Sequence, residues 1–383
     1  VKNEEPKMSI KDANGDKVKN DHSKEPIVTS TRDDRDRSRM SKFLLDHKIV
    51  NMCILSDGGM SAELLNQGFD SSKYKEWTAY ANMECTELLQ AAHEGFMKAG
   101  SRIITTNTYQ HAAKIIANKY GGKLAICGYR SAINKSHASR DRLNLKKEVI
   151  LMTSIGPYAV VLQDCSEYNP TYAKDPEALD KHIPEYYKMQ LDMIQENDSD
   201  AVIFETIPSK ADLDEILKQI ESMNDKEFII SFACEGLFLR DGTPLIDCVK
   251  RLIDNDRIIA CGVNCSHPRD GTAQIKEIAS TGWNGLHERY IFYYPNSGES
   301  YNKETETYSG QATALETMVK EWFDAGAAVI GGCCRVGAPE IEKMRVVIDT
   351  EINKKSESPL LKDDDKEKKR RLESEVDDID DSQ

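Results

Sequence analysis

The sequence predicts an α/β protein in which eight parallel strands alternate with helices and close into a barrel. Two observations predict it: short apolar, β-branched runs recur through the chain, and stretches with the apolar spacing of amphipathic helices separate them. Strand and helix repeated eight times is the pattern of a (β/α)8 barrel, the TIM barrel. No G-x-G-x-x-G or P-loop turn follows any run, which favours the barrel over an open, doubly wound sheet.

The predicted elements follow one another at intervals that suit this fold. The eight strands are predicted at 51–59, 101–108, 149–157, 201–208, 227–234, 258–265, 290–296 and 327–334. The clearest helical stretches are 84–99, 176–196, 210–222, 313–325 and 339–353. Because active sites of such barrels lie where the strands end, functional residues are expected at their carboxyl ends.

Both ends of the chain are predicted to be disordered tails. Residues 1–42 contain hardly any large apolar side chains, and residues 356–383 consist mainly of alternating acidic and basic clusters. Such segments cannot bury enough apolar surface to offset the entropy lost on ordering. A single barrel domain is therefore predicted over residues 43–355.

Charge and composition exclude several classes of partner. The formal net charge of −14 disfavours nucleic acid, whose phosphates would be repelled. No run approaches the roughly 18 to 20 apolar residues of a membrane-spanning helix, and no signal-peptide-like stretch is present. We therefore expect no nucleic acid, no membrane and a cytoplasmic location. There the ten cysteines are expected to be buried thiols or metal ligands rather than a disulfide framework.

Three cysteines are predicted to form one metal site. Cys333 and Cys334 are adjacent at the end of the eighth strand, where packing gives no reason for two thiols. Both can reach one ion only if the backbone turns sharply, and Gly331 and Gly332 permit such a turn. Cys265 ends the sixth strand, at the same rim. Thiolates select zinc, and three protein ligands leave the fourth tetrahedral position open for a substrate.

Two other interpretations of these cysteines stay open. His267, two residues after Cys265, would close the site and make it structural, although it precedes Pro268 in a predicted loop. Cys333 and Cys334 could instead serve a redox function, but a disulfide between neighbours requires a strained eight-membered ring. An open, catalytic zinc site is therefore favoured.

Seven short segments at or near the predicted strand ends carry a resemblance to a known family. The segments are Asp57-Gly58-Gly59-Met60-Ser61-Ala62-Glu63-Leu64, Thr105-Thr106-Asn107-Thr108-Tyr109-Gln110, Ser154-Ile155-Gly156-Pro157-Tyr158, Glu205-Thr206-Ile207-Pro208, Gly262-Val263-Asn264-Cys265, Tyr294-Pro295-Asn296-Ser297-Gly298-Glu299 and Gly331-Gly332-Cys333-Cys334-Arg335. Together they resemble the zinc-dependent homocysteine S-methyltransferases. They occur in that family's order over about residues 51–345, which is essentially the whole predicted barrel.

The resemblance implies a reaction at the metal. It implies that Cys265, Cys333 and Cys334 bind Zn²⁺ and that the thiol of homocysteine takes the fourth position. Coordination would deprotonate that thiol at neutral pH, and the thiolate is the nucleophile. The implied activity is transfer of a methyl group to homocysteine, giving methionine.

Five further residues are expected to contact the substrate. Asp57 and Glu205 are rim carboxylates that could bind the ammonium group of homocysteine, which also matches the family's pattern. The backbone amides around Gly58 and Gly59 could approach its carboxylate. Asn264 either orients the cysteine loop or touches the substrate.

The methyl donor is expected to be a cation with a neutral leaving group. A sulfonium such as S-methylmethionine or S-adenosylmethionine fits, and the Tyr294–Glu299 and Cys-Cys-Arg segments resemble the sulfonium-using branch of the family. Betaine is the alternative donor, and a non-catalytic, zinc-stabilised barrel acting as a binding protein is the alternative function. Rim aromatics could hold the donor cation; the candidates are Trp77, Tyr109, Tyr158 and Tyr168. The oligomeric state, a homo-oligomer included, stays open.

Overall fold

The computed structural model of the protein shows the predicted eight-stranded barrel. It describes residues 38–353, apart from 50, 113–115, 117, 120, 196–198, 222, 224–225, 287 and 303–306. The barrel strands are β1 (Ile54–Leu55), β2 (Ile103–Thr105), β3 (Ile150–Ile155), β4 (Ala201–Ile207), β5 (Phe228–Glu235), β6 (Ile258–Asn264), β7 (Tyr290–Tyr294) and β8 (Val329–Ile330). Each lies within a predicted strand or one residue beyond it, so the predicted fold class is confirmed.

All neighbouring barrel strands run parallel. The hydrogen-bonded order is β1-β8-β7-β6-β5-β4-β3-β2, and β1 pairs with β8 in the register Ile54 with Val329. A single parallel bridge between Ser56 and Ile103 links β1 to β2 and nearly closes the ring. The carboxyl ends of all eight strands therefore surround one rim.

Helices surround the barrel. They are α1 (Arg39–Ile49), α2 (Met60–Asn66), α3 (Ala81–Glu84), α4 (Thr86–Ala99), α5 (Gly122–Arg142), α6 (Ala159–Leu162), α7 (Ile183–Gln195), α8 (Lys210–Ile220), α9 (Leu245–Leu252), α10 (Gly271–Ser280), α11 (Val319–Asp324) and α12 (Ala338–Val347). Short strands at Phe238–Leu239, Ser300–Asn302 and Thr307–Ser309 lie outside the barrel wall. No helix among the described residues is long and apolar enough to cross a bilayer.

Two apolar layers hold this arrangement together. One fills the barrel and includes Ile54, Ile103, Met152, Ile203 and Phe292, all buried. The other lies between the strands and the surrounding helices. Because strand side chains alternate between the two faces, both faces of each strand are apolar, as the continuous apolar runs predicted.

Helix α1 closes the amino-terminal end of the barrel. Its Met40 and Leu44 are fully buried in the barrel's interior layer. Its polar face binds residues just before two strands: Arg39 Nη1 donates to Asp200 Oδ2 at 2.7 Å, and Ser41 Oγ donates to Glu227 Oε1 at 2.7 Å. With that end covered, the carboxyl-terminal rim is the open end.

The structure differs from the predicted domain boundary at residue 42. Helix α1 begins at Arg39, inside the segment assigned to the tail, because Met40 has a buried position that the charged residues around it obscure in the sequence. The rest of the predicted amino-terminal tail and the predicted tail at 356–383 lie outside the described residues.

Candidate metal centre

Three sulfur atoms converge at the open rim. The Sγ atoms of Cys265, Cys333 and Cys334 all lie within 4.8 Å of one another. The Sγ atoms of Cys265 and Cys334 are 3.7 Å apart. Cys265 follows β6, and the adjacent pair follows β8, so residues 69 positions apart in the chain meet because the barrel brings their strand ends together.

The spacing of these sulfurs fits tetrahedral zinc. With zinc–sulfur bonds of about 2.3 Å, two sulfurs at adjacent tetrahedral corners lie about 3.8 Å apart. Within the part of the chain that the structure describes, no further histidine, cysteine or carboxylate joins the group. His267 does not join it, and its Nδ1 accepts a hydrogen bond from the amide of Arg269 at 3.2 Å. The donor set thus consists of three thiols and leaves a fourth corner for a ligand from outside.

The thiols themselves indicate a need for positive charge. Hydrogen bonds from Cys265 and Cys333 hold the pKa of the Cys334 thiol well below its usual value. The pKa of Cys333 is raised well above its usual value through its interactions with Cys265 and Cys334. The three sulfurs thus oppose one another's ionisation, and a bound cation would favour the thiolate form of all of them.

Backbone contacts between loops fix the cysteine pair. The Cys333 amide donates to the Pro295 carbonyl at 2.8 Å, and the Gly332 amide donates to the Asp57 carbonyl at 3.0 Å. Cys265 lies at φ 50°, in the left-handed region that a non-glycine residue seldom adopts. That conformation turns the chain sharply where β6 ends. Strain at this position is typical of a functional site.

The glycines next to the pair act differently from the prediction. Neither Gly331 nor Gly332 has a positive φ; the positive φ in this loop belongs to Arg335, at 63°. Gly331 instead allows close packing, because a Cβ there would lie 1.9 Å from Ser56 Oγ. The prediction that these glycines supply the turn is therefore wrong. Gly331 is needed because the residues after β8 pack against Ser56 and Asp57, after β1, with no room for a side chain.

Gly59 has a similar packing role. A Cβ on it would lie 2.3 Å from the Cys333 carbonyl oxygen, and its amide donates to the Val336 carbonyl at 2.8 Å. That amide is already paired, so it cannot serve as the predicted carboxylate donor without giving up this bond. The corresponding role of Gly58 stays a prediction.

Glu205 lies near enough to the cluster to interact with the charge of Cys334, and its strand is irregular. The register between β4 and β5 shifts between Phe204 and Ile207, and Thr206 has φ 62°. Bulges of this kind redirect side chains near active sites. Glu205 accepts a short hydrogen bond from Ser154 Oγ, and burial raises its pKa, with the Cys334 charge adding to the effect.

Asn264 holds this bulge. Its Oδ1 accepts from the Thr206 amide and from Ser231 Oγ, both at 2.8 Å, and its Nδ2 donates to Thr206 Oγ1 at 2.8 Å. Nδ2 also lies 3.8 Å from Cys333 Sγ. Of the two roles predicted for Asn264, the contacts favour orientation of the site, and they do so mainly through the Glu205 strand.

Asp57 is the second carboxyl group at the rim, and its side chain is buried. Its Oδ2 accepts from the Thr105 amide at 2.7 Å and from Thr105 Oγ1 at 2.9 Å. Burial, with a smaller effect from the Glu205 charge, raises its pKa to about 8 despite these bonds. Two carboxyl groups held this way would both ionise readily only beside a cation.

Replacing Asp57 with asparagine should increase the free energy of unfolding relative to wild type, by an amount that grows as the pH rises. The unfolded carboxyl group has a pKa of about 3.9, so between pH 4 and pH 8 the folded state holds a proton that the unfolded state releases. By linkage, Asp57 then lowers the free energy of unfolding as pH increases through this window.

Urea unfolding at pH 5 and pH 8, with a chelator present, measures this effect. We expect the stability difference between Asp57→Asn and wild type to grow in the variant's favour by at least about 1 kcal/mol between the two pH values. A difference that does not change with pH would contradict the assigned pKa.

Two of the predicted aromatic residues lie beside the sulfurs. Negative charge on Cys265 and then Cys334 raises the pKa of the Tyr168 phenol well above its usual value. Burial does the same for Tyr109, with smaller effects from Glu167 and Cys265. Tyr158 instead packs against Tyr172, with ring centroids 5.3 Å apart, as a core residue. The structure thus brings Tyr109 and Tyr168 to the site.

The sequence interpretation missed the residues that support these groups. Thr105 and Ser154 bind the two carboxyl groups, and Asn296 bridges the cysteine loops. All three belong to segments that carried the family resemblance. Their position at strand ends was the available signal, but single polar residues at strand ends are too common to indicate which partners they bind.

Comparison with known sequences agrees with the geometry. A sequence model of the homocysteine S-methyltransferase family matches residues 54–348. Homocysteine S-methyltransferase YbgG of Bacillus subtilis is 30% identical over 303 residues, which cover 76% of this chain and 93% of that protein. Homocysteine S-methyltransferase 1 of Saccharomyces cerevisiae is 30% identical over 336 residues, covering 82% of this chain and 98% of that protein.

A solved structure supports the fold. The homocysteine methyltransferase MmuM from Escherichia coli, in its metallated form, superposes with a TM-score of 0.66 at 23% sequence identity. The match covers 77% of this chain and 96% of that one. At this level of identity the likeness shows a shared fold.

Proposed function

The chain belongs to the homocysteine S-methyltransferase family, and we propose that its rim binds zinc through Cys265, Cys333 and Cys334 and methylates homocysteine from a sulfonium donor. The observation that carries this proposal is the 3.7 Å separation of the Cys265 and Cys334 sulfurs within a three-cysteine cluster. It matches two corners of a zinc tetrahedron and leaves one corner for the acceptor.

The chemistry of the acceptor explains why a metal is needed. A free thiol has a pKa of about 8.5, so most of it is protonated at neutral pH. A zinc ion held by the three cysteines would lower that pKa and fix the sulfur as a thiolate. The protein's own part is to hold the ligands at the right spacing and to orient the rest of the amino acid.

Glu205 and Asp57 are proposed to bind the ammonium group of homocysteine. Asp57 is buried and Glu205 is half-buried, and desolvation raises the pKa of each carboxyl group. A bound ammonium group would let both ionise and would add a charged hydrogen-bond donor to those that Thr105 and Ser154 already supply. A purely structural zinc site would have no use for these two carboxyl groups at the same rim.

The same electrostatics favour a positively charged methyl donor. Three cysteine thiolates around one Zn²⁺ would leave the site with a net charge of about −1, which favours a cation nearby. Tyr109 and Tyr168 lie beside the sulfurs; the Tyr109 ring is the candidate surface for the donor, because the Arg240 guanidinium lies 5.3 Å from the centre of the Tyr168 ring. After it gives up its methyl group, a sulfonium donor leaves as a neutral thioether, so the transfer creates no new negative charge on the leaving group. The electron pair of the acceptor sulfur forms the new C–S bond, and the pair of the broken bond stays on the donor sulfur.

A panel of donors tests this function. Homocysteine is supplied with S-methylmethionine, S-adenosylmethionine or betaine, and methionine is measured for the wild type and for Cys334→Ala. We expect methionine from at least one sulfonium donor and less than about 1% of that rate from betaine, a gap of about 2.7 kcal/mol in activation free energy. Turnover with betaine alone would support the alternative donor. No turnover with any donor, by a protein that binds zinc, would support the non-catalytic barrel.

We also propose a cytoplasmic location, since an enzyme that depends on free thiolates is favoured by a reducing compartment. The described residues hold ten cysteines, all present as free thiols.

A further inference from the structure

One side chain connects the two loops that carry the cysteines. Asn296 follows β7, which lies between β6 and β8 in the barrel wall. Its Nδ2 donates to the Cys265 carbonyl at 3.2 Å, and its Oδ1 accepts from the Cys334 amide at 3.1 Å. The two ends of a single carboxamide thus hold the backbones of two predicted zinc ligands.

The partners fix the orientation of this carboxamide. A backbone carbonyl can only accept a hydrogen bond and a backbone amide can only donate one, so the Asn296 oxygen must face Cys334. The neighbouring backbone strengthens the link: the Asn296 amide donates to the Ser266 carbonyl, and the Ser297 amide donates to the Cys334 carbonyl, both at 3.0 Å. Both cysteine loops are therefore bound to the segment after β7.

We propose that Asn296 is a positioning residue that preassembles the metal site, an inference that rests on the proposed zinc function. Cys265 adopts its left-handed conformation at φ 50° against a backbone preference, and the bond from Asn296 to its carbonyl stabilises that conformation. The bond to the Cys334 amide holds the second ligand at the same time. Together they keep the two sulfurs 3.7 Å apart before metal arrives.

If Asn296 preassembles the site, its removal should weaken zinc binding. Outer-shell partners that orient metal ligands typically change affinity by about 10- to 100-fold when removed. We expect Asn296→Ala to raise the zinc dissociation constant by about that factor, measured by competition with a chromophoric chelator. In the cobalt-substituted protein we expect weaker visible absorption bands, because those bands report a regular tetrahedral geometry.

Asn353 provides a matched control at the other end of the barrel. Its Oδ1 accepts from the Cys53 amide at 2.9 Å and its Nδ2 donates to the Cys53 carbonyl at 3.2 Å, so it makes the same pair of bonds to a cysteine. Cys53 precedes β1 and is not part of the metal cluster. We expect Asn353→Ala to lower Tm to a similar extent as Asn296→Ala while leaving zinc affinity and the cobalt spectrum unchanged.

A second variant covers the case in which the alanine protein does not fold. Asn296→Asp has nearly the same shape and keeps the acceptor for the Cys334 amide, but its carboxylate cannot donate to the Cys265 carbonyl. We expect zinc binding to weaken in this variant too. Wild-type zinc affinity in the folded Asn296 variants, or an equal loss in Asn353→Ala, would overturn the proposal. A wild-type protein that bound no zinc would overturn the proposed function as well.

Discussion

Replacing Cys265, Cys333 or Cys334 with alanine should remove the bound zinc and lower kcat/KM for homocysteine at least about 1000-fold, a loss of about 4 kcal/mol in transition-state stabilisation. Without the metal only about 3% of a thiol with a pKa of about 8.5 is ionised at pH 7, which alone lowers the rate about 30-fold. Loss of the fixed position of the acceptor sulfur adds a further large factor, since positioning supplies much of the rate in a two-substrate reaction.

Cys261→Ala is the matched control for this prediction. Cys261 is buried in β6, four residues before Cys265, and belongs to the apolar layer rather than to the cluster. Its loss should lower stability by about 1 kcal/mol through a small cavity and leave zinc content and kcat/KM near wild type. Elemental analysis and methionine formation measure both proteins. Retained activity in a zinc-free Cys265 variant would show that the metal does not activate the acceptor.

The second large effect is expected at Glu205. Glu205→Gln keeps the shape of the side chain but removes the charge proposed to bind the ammonium group of homocysteine. Truncating one member of a buried charged pair costs about 2 to 5 kcal/mol, so kcat/KM should fall at least about 30-fold. The zinc content should stay at wild-type level, because Glu205 is not one of the sulfur ligands.

An acceptor without the ammonium group isolates this contact. 4-Mercaptobutanoate has the thiol and carboxylate of homocysteine but no amine. The wild-type enzyme should prefer homocysteine strongly, and Glu205→Gln should lose most of that preference while its rate with 4-mercaptobutanoate changes little. An equal fall with both acceptors would contradict the assignment and would indicate that Glu205 acts on the metal site or on folding.

The fold could be predicted because its signal is distributed along the chain. Each of the eight strand runs is weak alone, but their regular alternation with helical stretches leaves few architectures. The meeting of Cys265 with Cys333 and Cys334 followed from the same logic, since parallel strands place their carboxyl ends at one rim. The family resemblance then indicated what such a cluster does.

The supporting contacts could not be predicted, because they depend on atoms rather than on patterns. The two bonds of Asn296 and the three partners of Asn264 require a particular loop conformation, including positive φ angles at Thr206 and Cys265 that the residue types do not suggest. Gly59 was predicted to bind the substrate and Gly331 to permit a turn, whereas the structure requires glycine at both positions because neighbouring loops leave no room for a Cβ atom. The start of helix α1 was missed because its one buried apolar residue before position 43, Met40, lies among charged residues.

X-ray absorption at the zinc edge, recorded before and after homocysteine is added, tests the central claim most directly. The account predicts one zinc with three sulfur neighbours at about 2.3 Å and one lighter neighbour in the free enzyme, and four sulfur neighbours once homocysteine is bound. A zinc environment that homocysteine leaves unchanged, or one with four protein ligands from the start, would contradict it.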